Sequence, residues 1–154
     1  MDKFFILFCF SLLTTTTLYG QAQPVQEKLS LAIDSKTYVF EANQASGLRG
    51  RMIQLDPGYI LDVSPEKVKG DLPFFGRSYQ GTLGGTAGGL QFEIVDFDYS
   101  VKPRKKGGWE VVIKSKEPSE VRSLYLTIQK TGNASLRILS NSRQGMSFNG
   151  IIKN

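Results

Sequence analysis

Two hydrophobic periods divide the chain. Over residues 23–36 apolar side chains recur at four-residue spacing, at Val25, Leu29 and Ile33, with Gln26, Glu27, Lys28 and Asp34 between them. That spacing predicts a short helix with one apolar face, and Pro24 suits its first turn. From Thr37 the period shortens to two. Tyr38-Val39-Phe40-Glu41-Ala42 predicts a strand. Met52-Ile53-Gln54-Leu55 predicts a second, stopped by the turn signal Asp56-Pro57-Gly58. Residues 59–63 predict a third. Ser64-Pro65-Glu66-Lys67 has the form of a helix cap followed by one turn. Leu72-Pro73-Phe74-Phe75 is short, apolar and carries Pro, which predicts an edge or irregular segment. Residues 81–89 hold five Gly in nine positions and predict a loop.

The second half alternates more regularly. Residues 91–101 read as one long strand with a slip in parity. Phe92 and Ile94 share one parity, while Val95, Phe97, Tyr99 and Val101 share the other. An extra residue near Ile94-Val95, a β-bulge, would bring both sets to one face. Trp109, Val111 and Ile113 alternate with Glu110, Val112 and Lys114; Leu124, Leu126 and Ile128 with Tyr125, Thr127 and Gln129; Leu136 and Ile138 with Ser135 and Arg137; and Met146, Phe148, Gly150 and Ile152 with Ser147, Asn149 and Ile151. Thr131-Gly132-Asn133 reads as a hairpin turn. About eight strands at this spacing predict an all-β domain. Short connections imply antiparallel neighbours, and alternation implies one buried and one wetted face. The expected architecture is a small antiparallel barrel, or a flattened lipocalin-like barrel, with the N-terminal helix over an open end. A two-sheet β-sandwich is the alternative. The helical segment (23–36) and a single β domain (37–154) make up the mature chain, with no internal repeat.

Residues 1–22 are patterned differently. Lys3 precedes a continuous apolar run from Phe4 to Phe10, and small residues follow at Gly20 and Ala22. A charged start, a short apolar centre and a small-residue exit describe a secretory signal peptide, cleaved after Gly20 or Ala22. The run is too short to span a bilayer comfortably, which takes about 20 apolar residues. Cys9 sits in its middle and does not suggest a lipid anchor. The expectation is an exported protein, periplasmic or secreted, with no transmembrane segment in the mature chain.

Composition then removes several kinds of chemistry. The chain has no His, and its one Cys is Cys9, inside the leader. A mature chain without either residue has no Ser-His or Cys-His nucleophile, no His- or Cys-ligated metal and no disulfide. No cofactor is expected. Its net charge of +5 is uneven: residues 23–88 balance seven basic against seven acidic side chains, while residues 89–154 carry eleven against six. Lys102-Pro103-Arg104-Lys105-Lys106 supplies most of the excess. A basic turn of this kind suits phosphate, lipid or acidic glycan, or is simply solubilising. Nucleic acid is not expected, because no aromatics interleave with these cations.

Several strings recur together in one known family. They are Ser35-Lys36-Thr37-Tyr38-Val39-Phe40-Glu41-Ala42, Leu48-Arg49-Gly50-Arg51 and Leu72-Pro73-Phe74-Phe75-Gly76-Arg77-Ser78-Tyr79. The Gly-rich loop, Lys105-Lys106-Gly107-Gly108-Trp109 and Ser140-Asn141-Ser142-Arg143-Gln144 complete the set. In this order they resemble a family of exported bacterial proteins, domain of unknown function 4251, found mainly in Bacteroidetes. The resemblance spans nearly the whole mature chain. It implies a periplasmic or secreted all-β domain and no catalytic residue or cofactor.

Two candidate sites remain. Asp96 and Asp98 are two residues apart on a strand, hence about 7 Å apart on one face, a separation suited to an inverting glycosidase pair. Glu93 lies nearby. The competing reading is that the bulge turns all three outward as solvated charges, paired with Lys102, Arg104, Lys105 or Lys106. The second candidate is a ligand site of Phe74, Phe75, Arg77 and Tyr79, at the mouth of a barrel beside the Gly-rich loop. Tyr59 and Arg51 are further members, and the aromatics can equally cap the core. The leading expectation is a non-enzymatic exported binding module for an apolar or amphipathic small ligand. The alternatives are a structural or interaction domain that meets an envelope component, and a carboxylate-dependent hydrolase.

Overall fold

A computed structural model describes residues 23–46, 50–75 and 89–153. Helix α1 (Gln23–Asp34) precedes β1 (Tyr38–Ser46), β2 (Met52–Gln54), β3 (Ile60–Val63), β4 (Val68–Leu72) and β5 (Leu90–Ile94). Then come β6 (Phe97–Pro103), β7 (Trp109–Ser115), β8 (Val121–Ile128), β9 (Asn133–Ser140) and β10 (Met146–Lys153). One antiparallel sheet orders them β5-β4-β3-β1-β10-β9-β8-β7-β6, with β2 continuing the β3 side of β1.

The path begins and ends on consecutive strands. β5 pairs with β4 and β6 pairs with β7, yet only Val95 and Asp96 separate β5 from β6. The sheet therefore curls until its two ends meet through one chain run, giving a nearly closed antiparallel barrel-like sheet. The expected fold is the one formed. Ten strands replace about eight, because β4 lies where no strand was expected and the long strand is split in two.

That split corrects the bulge. Leu90 and Ile94 point inward with Phe92, and Phe97, Tyr99 and Val101 point inward on the far side. Both sets face inward through one extra residue, as the parity slip requires, but it falls at a break between two strands, and Val95 is left 57% exposed. Its N–H reaches Glu117 Oε1 at 3.0 Å, and Lys116 N–H reaches the Asp96 carbonyl at 3.0 Å. These bonds hold the corner where the run passes from one sheet edge to the other.

Residues 64–67 also differ from expectation. They form a hairpin turn: Ser64 N–H donates to the Lys67 carbonyl at 2.9 Å, and Lys67 N–H donates back to Ser64 Oγ at 3.1 Å. The Ser hydroxyl that can start a helix here closes a turn between β3 and β4. Gly70 on β4 leaves room for a neighbouring ring. The Phe92 ring of β5 occupies the space where its Cβ would be.

Helix α1 packs Leu29 and Ile33 into the core, while Val25 remains 52% exposed. Lys36 takes a left-handed φ of 56°, and Thr37 N–H returns to the Ala32 carbonyl at 2.8 Å, which ends the helix. Tyr99 on β6 donates to the Ile33 carbonyl at 2.9 Å, and its hydroxyl lies 3.3 Å from that of Tyr38 on β1. β1 and β6 are far apart along the sheet, so these tyrosines meet across the barrel. The inward side chains of every wall, including Phe40, Leu61, Ile113, Leu126, Leu136 and Phe148, form one continuous buried cluster.

Candidate functional site

Strand register gathers distant segments at one end of the barrel. Leu72 pairs with Leu90, Val121 with Ser140, and Met146 with Ile138. The segments beyond these pairs therefore form a common rim. Arg143 is its centre. Its guanidinium lies over the Phe74 ring at 5.0 Å, and its Nε is 2.5 Å from Glu120 Oε1. Nη1 reaches the Gly89 carbonyl at 3.5 Å. The Arg143 and Glu120 side chains are 25% and 28% exposed, so the pair is sheltered and holds its geometry better than a surface ion pair.

The local backbone explains why Arg143 stands there. Ser140 Oγ accepts the N–H groups of Ser142 at 3.2 Å and Arg143 at 3.1 Å, folding residues 140–143 into a side-chain-braced turn. Asn141 bonds back to β8's entry, its N–H to the Glu120 carbonyl and its Nδ2 to the Ser119 carbonyl, both at 3.0 Å. Residues 119–120 and 140–143 are thus tied to each other.

Of the sequence candidates, Phe74 packs half-buried against the core beneath Arg143, and Phe75 beside it is 38% exposed. Tyr59 is also packed against the core. Arg77, Tyr79 and residues 81–88 lie outside the described residues. A different arginine, Arg143, lies against Phe74. Arg143 and Glu120 were missed. Arg143 stands within a quoted motif, but nothing local links it to Phe74. An aromatic and a cation grip an amphipathic group by packing and by charge; the rim therefore suits binding.

The Asp pair has different surroundings. Asp96 and Asp98 project from the outer wall, each 67% exposed, and share Lys116 at 3.9 and 2.8 Å. Glu93 pairs with Lys69 at 3.5 Å and Lys67 at 3.9 Å. The expected cations of residues 102–106 are not the partners, because antiparallel register carries that turn to the far end of β6. Two solvated carboxylates beside a lysine lack the apolar pocket that a proton-donating acid needs.

The inward side chains form one buried cluster, and depressions lined by described residues lie on the wall. One of about 420 Å³ lies over β8, β9 and β10 and is lined by Tyr125, Arg137, Leu139 and Ser147. At the helix end, burial pushes Tyr38 well above its usual value near 10 and Tyr99 up to about 12. Both tyrosines are neutral hydrogen-bonding groups there.

Fold and rim define a small antiparallel β-barrel domain with a packed core and a helix at one end. Among the described residues, no helix is long and apolar enough to cross a membrane. The chain belongs to the family described as Domain of unknown function (DUF4251), whose profile matches residues 21–152. It is similar to the crystal structure of a DUF4251 family protein from Bacteroides eggerthii, with a TM-score of 0.60 and 16% identity, covering 84% of this chain and 87% of that one. No curated protein matches the chain.

Proposed function

We propose that this chain is a non-enzymatic exported binding module that takes an apolar or amphipathic small ligand on its rim, around Phe74, Phe75 and Arg143. Export rests on the leader-like pattern of residues 1–22. The observation that carries the site is the Arg143 guanidinium fixed over Phe74, with Phe75 open beside it. Phe75 supplies apolar contact beside Arg143, whose charge is shared with Glu120. The packed core disfavours the lipocalin arrangement, in which the ligand lies inside the barrel.

Titration with the amphipathic anion 1-anilinonaphthalene-8-sulfonate tests this reading. Saturable binding by the native protein, weakened by Phe75→Ala at unchanged stability, is expected. Absence of binding, or equal binding by Phe75→Ala, would refute the rim. Native mass spectrometry of protein recovered from the periplasm would reveal a retained natural ligand. A structural or interaction role at the envelope is the second reading, favoured by the lysines at the opposite end.

A further inference from the structure

Two adjacent turns lie, with the end of helix α1, at the end of the barrel opposite the rim. Pro103 pairs with Trp109, and Ile128 with Ala134, so residues 104–108 and 129–132 project away from the Ser140 end. The first turn is rigid. Arg104 N–H donates to the Gly108 carbonyl at 3.0 Å, and Gly107 N–H to the Arg104 carbonyl at 2.9 Å. Gly107 and Gly108 have φ of 85° and 86°, and Gly108 is pressed against the Ile128 carbonyl, where a Cβ has no room. Lys130, from the second turn, lies across Gly107; a Cβ there would be 3.3 Å from its Nζ.

This places Lys102, Lys105, Lys106 and Lys130 together, all exposed. Elsewhere on the wall, Lys67, Lys69 and Lys116 each face a carboxylate. At this end Arg104 pairs with Glu110 at 3.6 Å, and Lys153, beside the second turn, pairs with Glu41. Among the described residues, the four lysines have no ion-pair partner. They form one positive patch at this end.

We propose that this end docks electrostatically on an anionic phospholipid surface. Lysine ammonium groups are mobile, strongly hydrated point charges without arginine's bidentate fork, which suits many diffuse anions better than one fixed phosphate. Two neighbouring turn tips match a flat surface. A polyanion chain instead favours a groove with stacking aromatics, and the tips of these turns carry neither. Docking here leaves the Phe74 rim facing away from the surface. The inference is independent of the rim's ligand.

Co-sedimentation of the native protein with vesicles tests it. One set contains equal parts phosphatidylglycerol and phosphatidylcholine, the other phosphatidylcholine alone. Binding to the anionic set, lost in high salt, is expected. Each lysine near such a surface is worth roughly a fivefold change in partition, so Lys105→Gln, Lys106→Gln and Lys130→Gln together lower it about a hundredfold. These side chains are unpaired, and circular dichroism confirms that the variant is folded. Lys114→Gln with Arg122→Gln and Arg137→Gln, the same loss of three charges on the wall, has a much smaller effect, and Phe75→Ala has none. Equal binding to both vesicle sets, an unchanged triple variant or an equal loss in the wall variant overturns the proposal. So does binding to sulfated dextran without binding to vesicles.

Discussion

Replacing Gly150 by Ala is the sharpest perturbation of this barrel. Gly150 lies on β10 between Ala42 of β1 and Ala134 of β9, beside the irregularity in β1 at Ala42/Gln44. A Cβ at Gly150 runs into the Glu41 carbonyl oxygen, with the Glu41 carbonyl carbon at 2.8 Å and Ala42 Cα at 3.0 Å. All three are backbone atoms, so no side-chain rotation relieves the contact. β1 must move off β10, the most extensively paired junction of the sheet's first half. Overpacking costs about 1–3 kcal/mol, and one weakened ladder bond adds about 1 kcal/mol. The sum is about 2–4 kcal/mol, a large share of a typical stability of about 5–15 kcal/mol. Urea unfolding followed through Trp109, the single tryptophan, reads this directly. With a slope of about 2 kcal/mol per molar urea, the midpoint falls by about 1–2 M. Gly70→Ala is the control. Its Cβ meets the tip of the half-buried Phe92 ring, which can turn aside, so the cost stays near 1 kcal/mol, the low end for overpacking. An unchanged midpoint for Gly150→Ala, or a larger loss for Gly70→Ala, refutes the β1–β10 register.

Three further outcomes follow from the same geometry. Phe148→Ala empties part of the packed core and costs about 3–5 kcal/mol by chemical denaturation, whereas a hollow barrel would lose far less. Glu120→Gln removes the charge holding Arg143, lowering stability by about 2 kcal/mol and loosening the rim, visible as faster amide exchange over residues 140–143. Tyr38 and Tyr99 have folded pKa values raised chiefly by burial, Tyr99 to about 12. The unfolded chain loses these protons near pH 10 and the native chain later, so their stabilisation is complete below about pH 10 and drains away as pH rises toward 12. Unfolding midpoints measured across that window fall more steeply for the native protein than for Tyr99→Phe.

Much of the barrel was legible because half-buried antiparallel strands write their inner face as strict alternation. Val111 and Ile113, Leu124 to Ile128, Leu136 and Ile138, and Met146 to Phe148 all point where the pattern placed them. β4 was not legible, although Val68 and Leu72 alternate correctly. Its middle inward position is Gly70, which lacks a side chain because Phe92 fills the space from the next strand. The split at Val95-Asp96 showed as a parity slip, but its length depends on how the sheet closes, a property of the whole barrel. The rim was half legible. Phe74 and Phe75 stood out as bulky residues in an irregular segment. Arg143 comes to Phe74 only through the pairing of β8, β9 and β10, and no local spacing encodes that meeting.

The rim reading is tested most directly by amide chemical-shift mapping. The isotopically labelled protein is titrated with 1-anilinonaphthalene-8-sulfonate, and each shift change is placed on the barrel. Saturating changes confined to Phe74, Phe75 and the 140–143 turn are predicted, with Phe40, Leu126 and Leu136 unmoved. Changes centred on those core residues would instead put the ligand inside the barrel and contradict a module that binds from its rim.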